Sequence, residues 1–323
     1  MRRFFAFLNS FTHANSAGQL IFYTFANNMR YVLLAIFLFY SVFADGQSYH
    51  GSIERGSDLK MLTYNVGFGG ITAGIGAVIN KPKETPMHKA FFKGFYQGCL
   101  GGALQYGGKK MTYQIVEKYN YWCGLPAKLV HTAGTTIVEN AAYNRPFGRY
   151  WNLDLGPLRF DFAFNTEDEP FRVRFSAMII YDIIAAGVQP SSSYIDWGKS
   201  LKLGTLTFYT NEPISRNENH DIIGTAYCRS FIYNTRSKDI HQTVVHELIH
   251  LFQRREHLVF NAWLNPLASK ASPKIKNVFH NYIYIEPPYF SLFYLMQGYH
   301  ERENYYRNFY EFEAEWFATK GYF

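Results

Sequence analysis

Cysteine is scarce in this chain: three in 323 residues, at Cys99, Cys123 and Cys228, widely spaced and without a CxxC pair. An odd, scattered set excludes a disulfide framework and a thiolate metal knuckle, although one pair could close in an oxidising compartment. Long basic tracts are missing as well. The net charge is +7, yet the lysine and arginine clusters run no longer than "KPK" and "RR". A basic stripe of the nucleic-acid type is therefore absent, and no nucleic-acid partner is expected. No internal repeat or low-complexity tract occurs. The glycine-rich "GFGGITAG" lacks the Lys-Ser/Thr ending that a phosphate-binding loop requires.

What is present is apolar and aromatic. Hydrophobic residues make up 48% of the chain and aromatics 19%, enough for a sizeable core in one elaborate domain or two ordinary ones. Near the amino terminus Arg30 precedes an apolar run over residues 31–43, followed by the small residues Ala44 and Gly46. The run is short for a bilayer span, and the small residues suit cleavage before Gln47. Residues 1–46 are thus expected to be a signal peptide, with Met29 as an alternative start, and the protein to be exported to the periplasm or cell envelope. An uncleaved anchor is the competing reading.

Residues 47–149 are dominated by two uncharged stretches within 61–108, "MLTYNVGFGGITAGIGAVI" and "GFYQGCLGGALQYGG", which hold eleven of the 25 glycines. Glycines three and four apart would give helices smooth faces for close approach. A glycine-rich helical hairpin is expected there, either tightly packed or associated with a membrane. Between 150 and 235, partial alternation in "YWNLDLGPLRFDFAF", "FRVRFSAMIIYDII", "SLKLGTLTFYTN" and "GTAYCRSFIYNT" predicts strands, assembled most simply as an antiparallel sheet. Four such strands are too few for a closed outer-membrane barrel. The fold class expected is α+β, with a helical unit over 237–323.

The chemistry is concentrated in "VVHELIHLFQRRE", residues 244–256. A helix capped by Ser237 or Asp239 would carry it. Four-residue spacing stacks His246 and His250 on one face, close enough to share an ion, while Glu247 is turned about 100° away and can reach a water at the metal without ligating it. A third ligand is needed. Glu256 lies about 9 Å further along an unbroken helix, since Gln253 stands where a helix-breaking glycine would be required, and His257 is also too far along. The tail "ERENYYRNFYEFEAEWFATK" reads as a helix over residues 301–319 and offers three glutamates. Glu311 and Glu315 are four apart in line with Arg307, which reads as a solvent-facing row. Glu313 lies among Tyr306, Phe309, Tyr310, Trp316 and Phe317, where a buried carboxylate needs a cation. Glu313 is therefore the preferred ligand, ahead of Glu311 or Glu315.

HExxH on one helix and a glutamate on a second resembles the gluzincin branch of zincin-type zinc metallopeptidases. Glu311, Glu313, Ala314, Phe317 and Ala318 are similar to the E-x-E-A-x-x-F-A segment of compact metallopeptidases related to the phage-repressor-directed peptidases. The resemblance covers about 80 carboxy-terminal residues. It departs in having Glu315 where that family often has Asn or Asp, and no helix-turn-helix partner domain is evident. It implies Zn2+ on His246, His250 and Glu313, Glu247 as general base, and an edge strand before the active helix, here within residues 224–234, holding a peptide or protein substrate by β-augmentation. An envelope protein with a structural or vestigial zinc site is the alternative.

Overall fold

A computed structural model of the chain describes residues 58–164, 169–188, 192–214, 216–217, 220–221, 223–268, 272, 277–278, 281–284, 286–296 and 308–319. The expected signal peptide, residues 1–46, lies outside them. The fold is α+β, as expected from the sequence. The described residues open with three α-helices, α1 (Asp58–Ile79), α2 (Met87–Lys118) and α3 (Gly124–Ala142). The first two are the arms of the glycine-rich hairpin, and the second runs ten residues beyond residue 108.

Glycine acts here by letting backbones touch. A Cβ on Gly98 would collide with the carbonyl of Gly69, and one on Gly102 with the carbonyl of Asn65, so α1 and α2 cross at main-chain contact. By length and composition α1 could cross a membrane, yet 56% of its most apolar window is buried inside the protein. Its glycine face is occupied by α2.

The strands do not form one antiparallel sheet. β1 (Tyr150–Leu155), β2 (Leu158–Ala163) and β3 (Phe171–Ser176) form an antiparallel meander, and the short β10 (Ile283–Tyr284) adds in parallel to β3. A second sheet is ordered β4 (Tyr194–Ile195), β5 (Leu206–Thr210), β9 (Ser230–Asn234), β8 (Gly224–Ala226), with β5 and β9 parallel. A two-residue pair, β6 (Arg216–Asn217) and β7 (His220–Asp221), stands apart. Two stretches read as strands are half helix: α4 (Met178–Val188) follows β3, and α5 (Trp197–Leu203) precedes β5. Their branched and aromatic residues satisfied a strand pattern over windows too short to separate the two periods.

The carboxy-terminal half adds α6 (Ile240–His257), α7 (Phe260–Ala268), α8 (Tyr289–Met296) and α9 (Phe309–Thr319). Asp239 caps α6, its side chain accepting the Gln242 N–H. Val244, Val245, Leu248, Ile249 and Phe252 of α6 meet Ile115 and Val116 of α2, Phe231 and Tyr233 of β9, and Ala314, Trp316, Phe317 and Ala318 of α9 in one core. This packing sets α6 and α9 side by side. Of the helix expected over 301–319, residues 301–307 lie outside the described segments.

Close approach at the α1–α2 crossing makes a contrast testable. Gly98→Ala should lower stability by about 1–3 kcal/mol through overpacking against immobile backbone. Gly67→Ala, where a Cβ meets nothing within 4 Å, should raise it by ~0.5–1 kcal/mol. Thermal unfolding of the two variants checks this, and equal effects would refute the packing argument.

Candidate metal centre

α6 and α9 each carry a polar pair at four-residue spacing, and the pairs face one another. Nε2 of His246 and Nε2 of His250 are 3.1 Å apart, and Glu311 Oε2 lies 3.1 Å from the first and 3.3 Å from the second. Three donor atoms at these separations nearly match three corners of a tetrahedron around zinc. With ligand bonds of about 2.0–2.1 Å, such a tetrahedron has edges of roughly 3.3 Å. All three residues are largely enclosed, and among the described residues this is the only grouping of three or more His, Cys, Asp or Glu placed to hold an ion.

The other ring nitrogens are engaged in a way that fixes this orientation. His246 Nδ1 is 3.1 Å from Glu315 Oε2, and His250 Nδ1 is 2.8 Å from Gln253 Oε1. A proton on each Nδ1 leaves each Nε2 lone pair aimed at the shared point. Gln253 is itself held, its amide donating to the Tyr310 carbonyl and to Glu313 Oε2, both at 2.9 Å. Tyr294 of α8 donates to Glu311 Oε1 at 2.5 Å, leaving Oε2 for the centre. Burial alone would depress the His246 imidazole, but hydrogen bonds to Glu311 and Glu315 and the charge of Glu247 lift it to about 10. The same imidazoles hold the Glu311 carboxyl well below the ordinary range despite burial. The carboxylates around His246 thus favour positive charge at this point.

Glu313, the ligand preferred from sequence, is elsewhere. It is wholly buried, and its carboxylate accepts Lys109 Nζ at 2.9 Å on both oxygens and Asn65 Nδ2 at 2.8 Å. The facial argument correctly placed this carboxylate inside with a cation. The cation is an ammonium from α2, and Gln253 stands between Glu313 and His250. Glu311, read as part of a solvent-facing row, is 5% exposed because that row is covered by α6 and α8. Its signal in the sequence was the matched spacing: Glu311 and Glu315 repeat the interval of His246 and His250. Gln253, Glu315 and Tyr294 were also missed as supporting groups.

Glu247 lies on the neighbouring face of α6, as its position in the motif requires. Its carboxylate presses against the main chain of Gly224, where any Cβ would collide with it. It is buried, and desolvation raises its pKa against the pull of His246 and His250. Gly224 begins β8, which pairs only with β9 and so forms the edge of its sheet among the described strands. Of residues 224–234, the edge is thus the first three, and β9 is interior. Asp182 of α4 accepts the N–H groups of Cys228 (2.9 Å) and Arg229 (2.6 Å), fixing the turn between them.

No protein-family model, curated protein or solved structure matches the chain.

The geometry separates the two glutamates experimentally. Glu311→Ala should weaken zinc binding by well over the roughly 10–100-fold that loss of a supporting group costs. Glu313→Ala should instead lower stability by about 3–5 kcal/mol, since it strips a buried ammonium of one partner, and should disturb zinc less. Competition with a chromophoric chelator and thermal unfolding read the two effects. A larger loss of affinity in the Glu313 variant, or in folded Glu313→Gln, would restore Glu313 as the ligand.

Proposed function

We propose that the chain is an exported zinc-dependent peptidase that holds Zn2+ on His246, His250 and Glu311. The observation that carries the reading is the 3.1–3.3 Å triangle of Nε2, Nε2 and Oε2 with Glu247 on the next face of the same helix. Three protein donors leave a fourth position, which suits a catalytic site more than a closed structural one. When bound, zinc would supply a Lewis acid that acidifies water and polarises a carbonyl.

The remaining work falls to this chain's own groups. Glu247 is placed to take a proton from the attacking water at its carboxylate and to return it to the leaving amine. The edge that β8 forms among the described strands, beginning at Gly224 against Glu247, would offer main-chain hydrogen bonds to an extended peptide. The missing side chain at Gly224 lets substrate and base share that narrow space. Glu315 and Gln253 hold the two imidazoles in the tautomer that binding needs.

Substitution of the base tests the chemistry apart from binding. Glu247→Gln should retain one zinc per chain and lose roughly 10²-fold or more of the hydrolysis rate, measured with a mixed library of internally quenched peptides. A wild-type chain that holds one zinc tightly but cleaves none of the library would favour a structural or vestigial zinc in an envelope protein. Export has its own check. Amino-terminal sequencing of envelope material should begin at or near Gln47, and retention of residues 31–43 would show an anchor instead.

A further inference from the structure

A partly open cavity of about 70 Å³ lies between α3, α6 and α8, beside the turn that joins β8 to β9. It is close to the candidate metal centre, since the Phe290 ring in its wall stands 6.2 Å from the ring of His250. Such a space holds several waters, or one carboxylate with its stem. Four cations line it, Lys128, Arg229, Arg254 and Arg255, against two carboxylates, Asp154 and Glu286. The carboxylates are already taken. Asp154 pairs with Arg229 at 3.0 Å and with Arg255 at 2.8 Å, and Glu286 pairs with Arg229. His131, also in the wall, is engaged by Glu256 at 2.9 Å. Lys128 and Arg254 are left without an ion pair among the described residues.

Both have only neutral acceptors. Lys128 donates to the Gly204 carbonyl and the Thr205 hydroxyl. Burial, joined by Arg229 and Arg255, pulls its pKa down to about 7 against the attraction of Asp154 and Glu286. Arg254 Nη1 donates to the Ser291 hydroxyl at 3.2 Å and Nη2 to the Ala226 carbonyl at 3.4 Å, while Nε has no partner. Burial lowers this guanidinium too, and Asp182 and Glu247 act on it only from beyond ion-pair distance. A desolvated cation without a counter-charge is unfavourable, and an anion in the cavity would relieve both.

The register of β8 bears on which anion. Asn234 N–H donates to the Ile223 carbonyl and Tyr227 N–H to that of Ser230, so residues 223, 225 and 227 turn toward β9, while Gly224 and Ala226 turn their main chain to the other edge. Arg254 reaches that edge at Ala226, two residues from where Glu247 meets Gly224. On α6 these two side chains are seven positions apart, nearly in line and roughly 10 Å along the axis. A strand lying on β8 would therefore pass Glu247 and then Arg254. Its N–H would take the Ala226 carbonyl and free Nη2. The rest of the cavity wall, including Leu251, Phe252, Leu258 and Pro287, is apolar, which suits the carbon stem of a peptide residue better than an inorganic ion.

We propose that this cavity is a carboxylate subsite, in which Arg254 and Lys128 receive the acidic side chain or the terminal carboxylate of a peptide held on β8, roughly two or three residues from the bond attacked. The proposal rests on the peptidase reading for the reaction at Glu247, but not for the binding itself.

Fluorescein-labelled hexapeptides of serine and valine, ending in an amide and carrying one glutamate moved along the sequence, test this on the zinc-loaded Glu247→Gln chain, where turnover does not interfere. Two matched sets carry glutamine instead, one ending in an amide and one in a free carboxylate, which separates side chain from terminus. By fluorescence anisotropy, the glutamate peptide at one position, or the free-carboxylate set, should bind roughly 10–100-fold more tightly than the neutral set. Adding Arg254→Gln should abolish that preference and Lys128→Gln should weaken it, with zinc content and thermal unfolding unchanged. Arg254→Lys, which keeps the charge, should retain part of it. Equal binding of charged and neutral sets, a preference that survives both glutamine substitutions, or no binding of any set would overturn the proposal. Failure of the peptidase reading looks different: the wild-type chain would bind the charged peptides through Arg254 and hydrolyse none of them.

Discussion

A single buried ammonium decides how the site is assembled. Lys109 of α2 is wholly enclosed and accepted by Glu256 of α6 and Glu313 of α9, each at 2.9 Å, and by Asn65 of α1 at 3.0 Å. Burial alone would favour the neutral amine. The two carboxylates outweigh it and raise the pKa, while Glu256 in turn is held below its ordinary value by Lys109 and His131. Such a cluster contributes little net stability compared with apolar side chains of the same volume, yet it penalises any arrangement that separates its members. It therefore acts on geometry. With Glu313 fixed on Lys109, Glu311 and Glu315 lie roughly 160° round α9, on the side where the histidines stand.

This explains which parts of the site could be read in the sequence. HExxH is local: one helix and its 3.6-residue period place His246, His250 and Glu247 without reference to anything else, and the Asp239 cap was legible for the same reason. The third member of the candidate site is not local. Choosing among Glu311, Glu313 and Glu315 requires knowing what covers each face of α9, and the answer comes from Lys109, about 200 residues earlier in the chain. A rule that a buried carboxylate seeks a cation identified the right kind of partner and the wrong one. The polar row of Glu311 and Glu315 looked solvent-facing because a helix considered alone cannot show that a second polar row lies across from it.

The sheets show the same limit in another form. Alternation in residues 150–163 and 171–176 correctly gave strands, but alternation carries no sign. It separates two faces without saying which is inside, and the usual assumption sends the phenylalanines inward. Here Arg255 and Glu139 already supply charge to the interior, so Asp154 and Arg159 turn toward them, Asp161 pairs with Arg159 on the same side, and the aromatic residues turn out. The α+β class and the glycine-lined helix pair survived because they depend on periodicity and residue size. The parallel pairing of β5 with β9 and of β3 with β10 depends on distant segments, and no local pattern encodes it.

α6 is where these constraints meet. His250 faces Glu311, Arg255 pairs with Asp154 and Glu139 of the sheet side, and Glu256 pairs with Lys109 and His131 of the bundle. At about 100° per residue these three positions are spread around the helix at intervals of roughly 100–140°. Charged partners thus grip it from three sides, and a rotation that improved one contact would break the other two. That restraint keeps the two imidazoles of His246 and His250 directed to one point. It also ties the polar interior to the apolar side of the sheet, because Asp154, which holds Arg255 of α6, occupies an inward position of β1. The residues that alternate with it are left to face the other way.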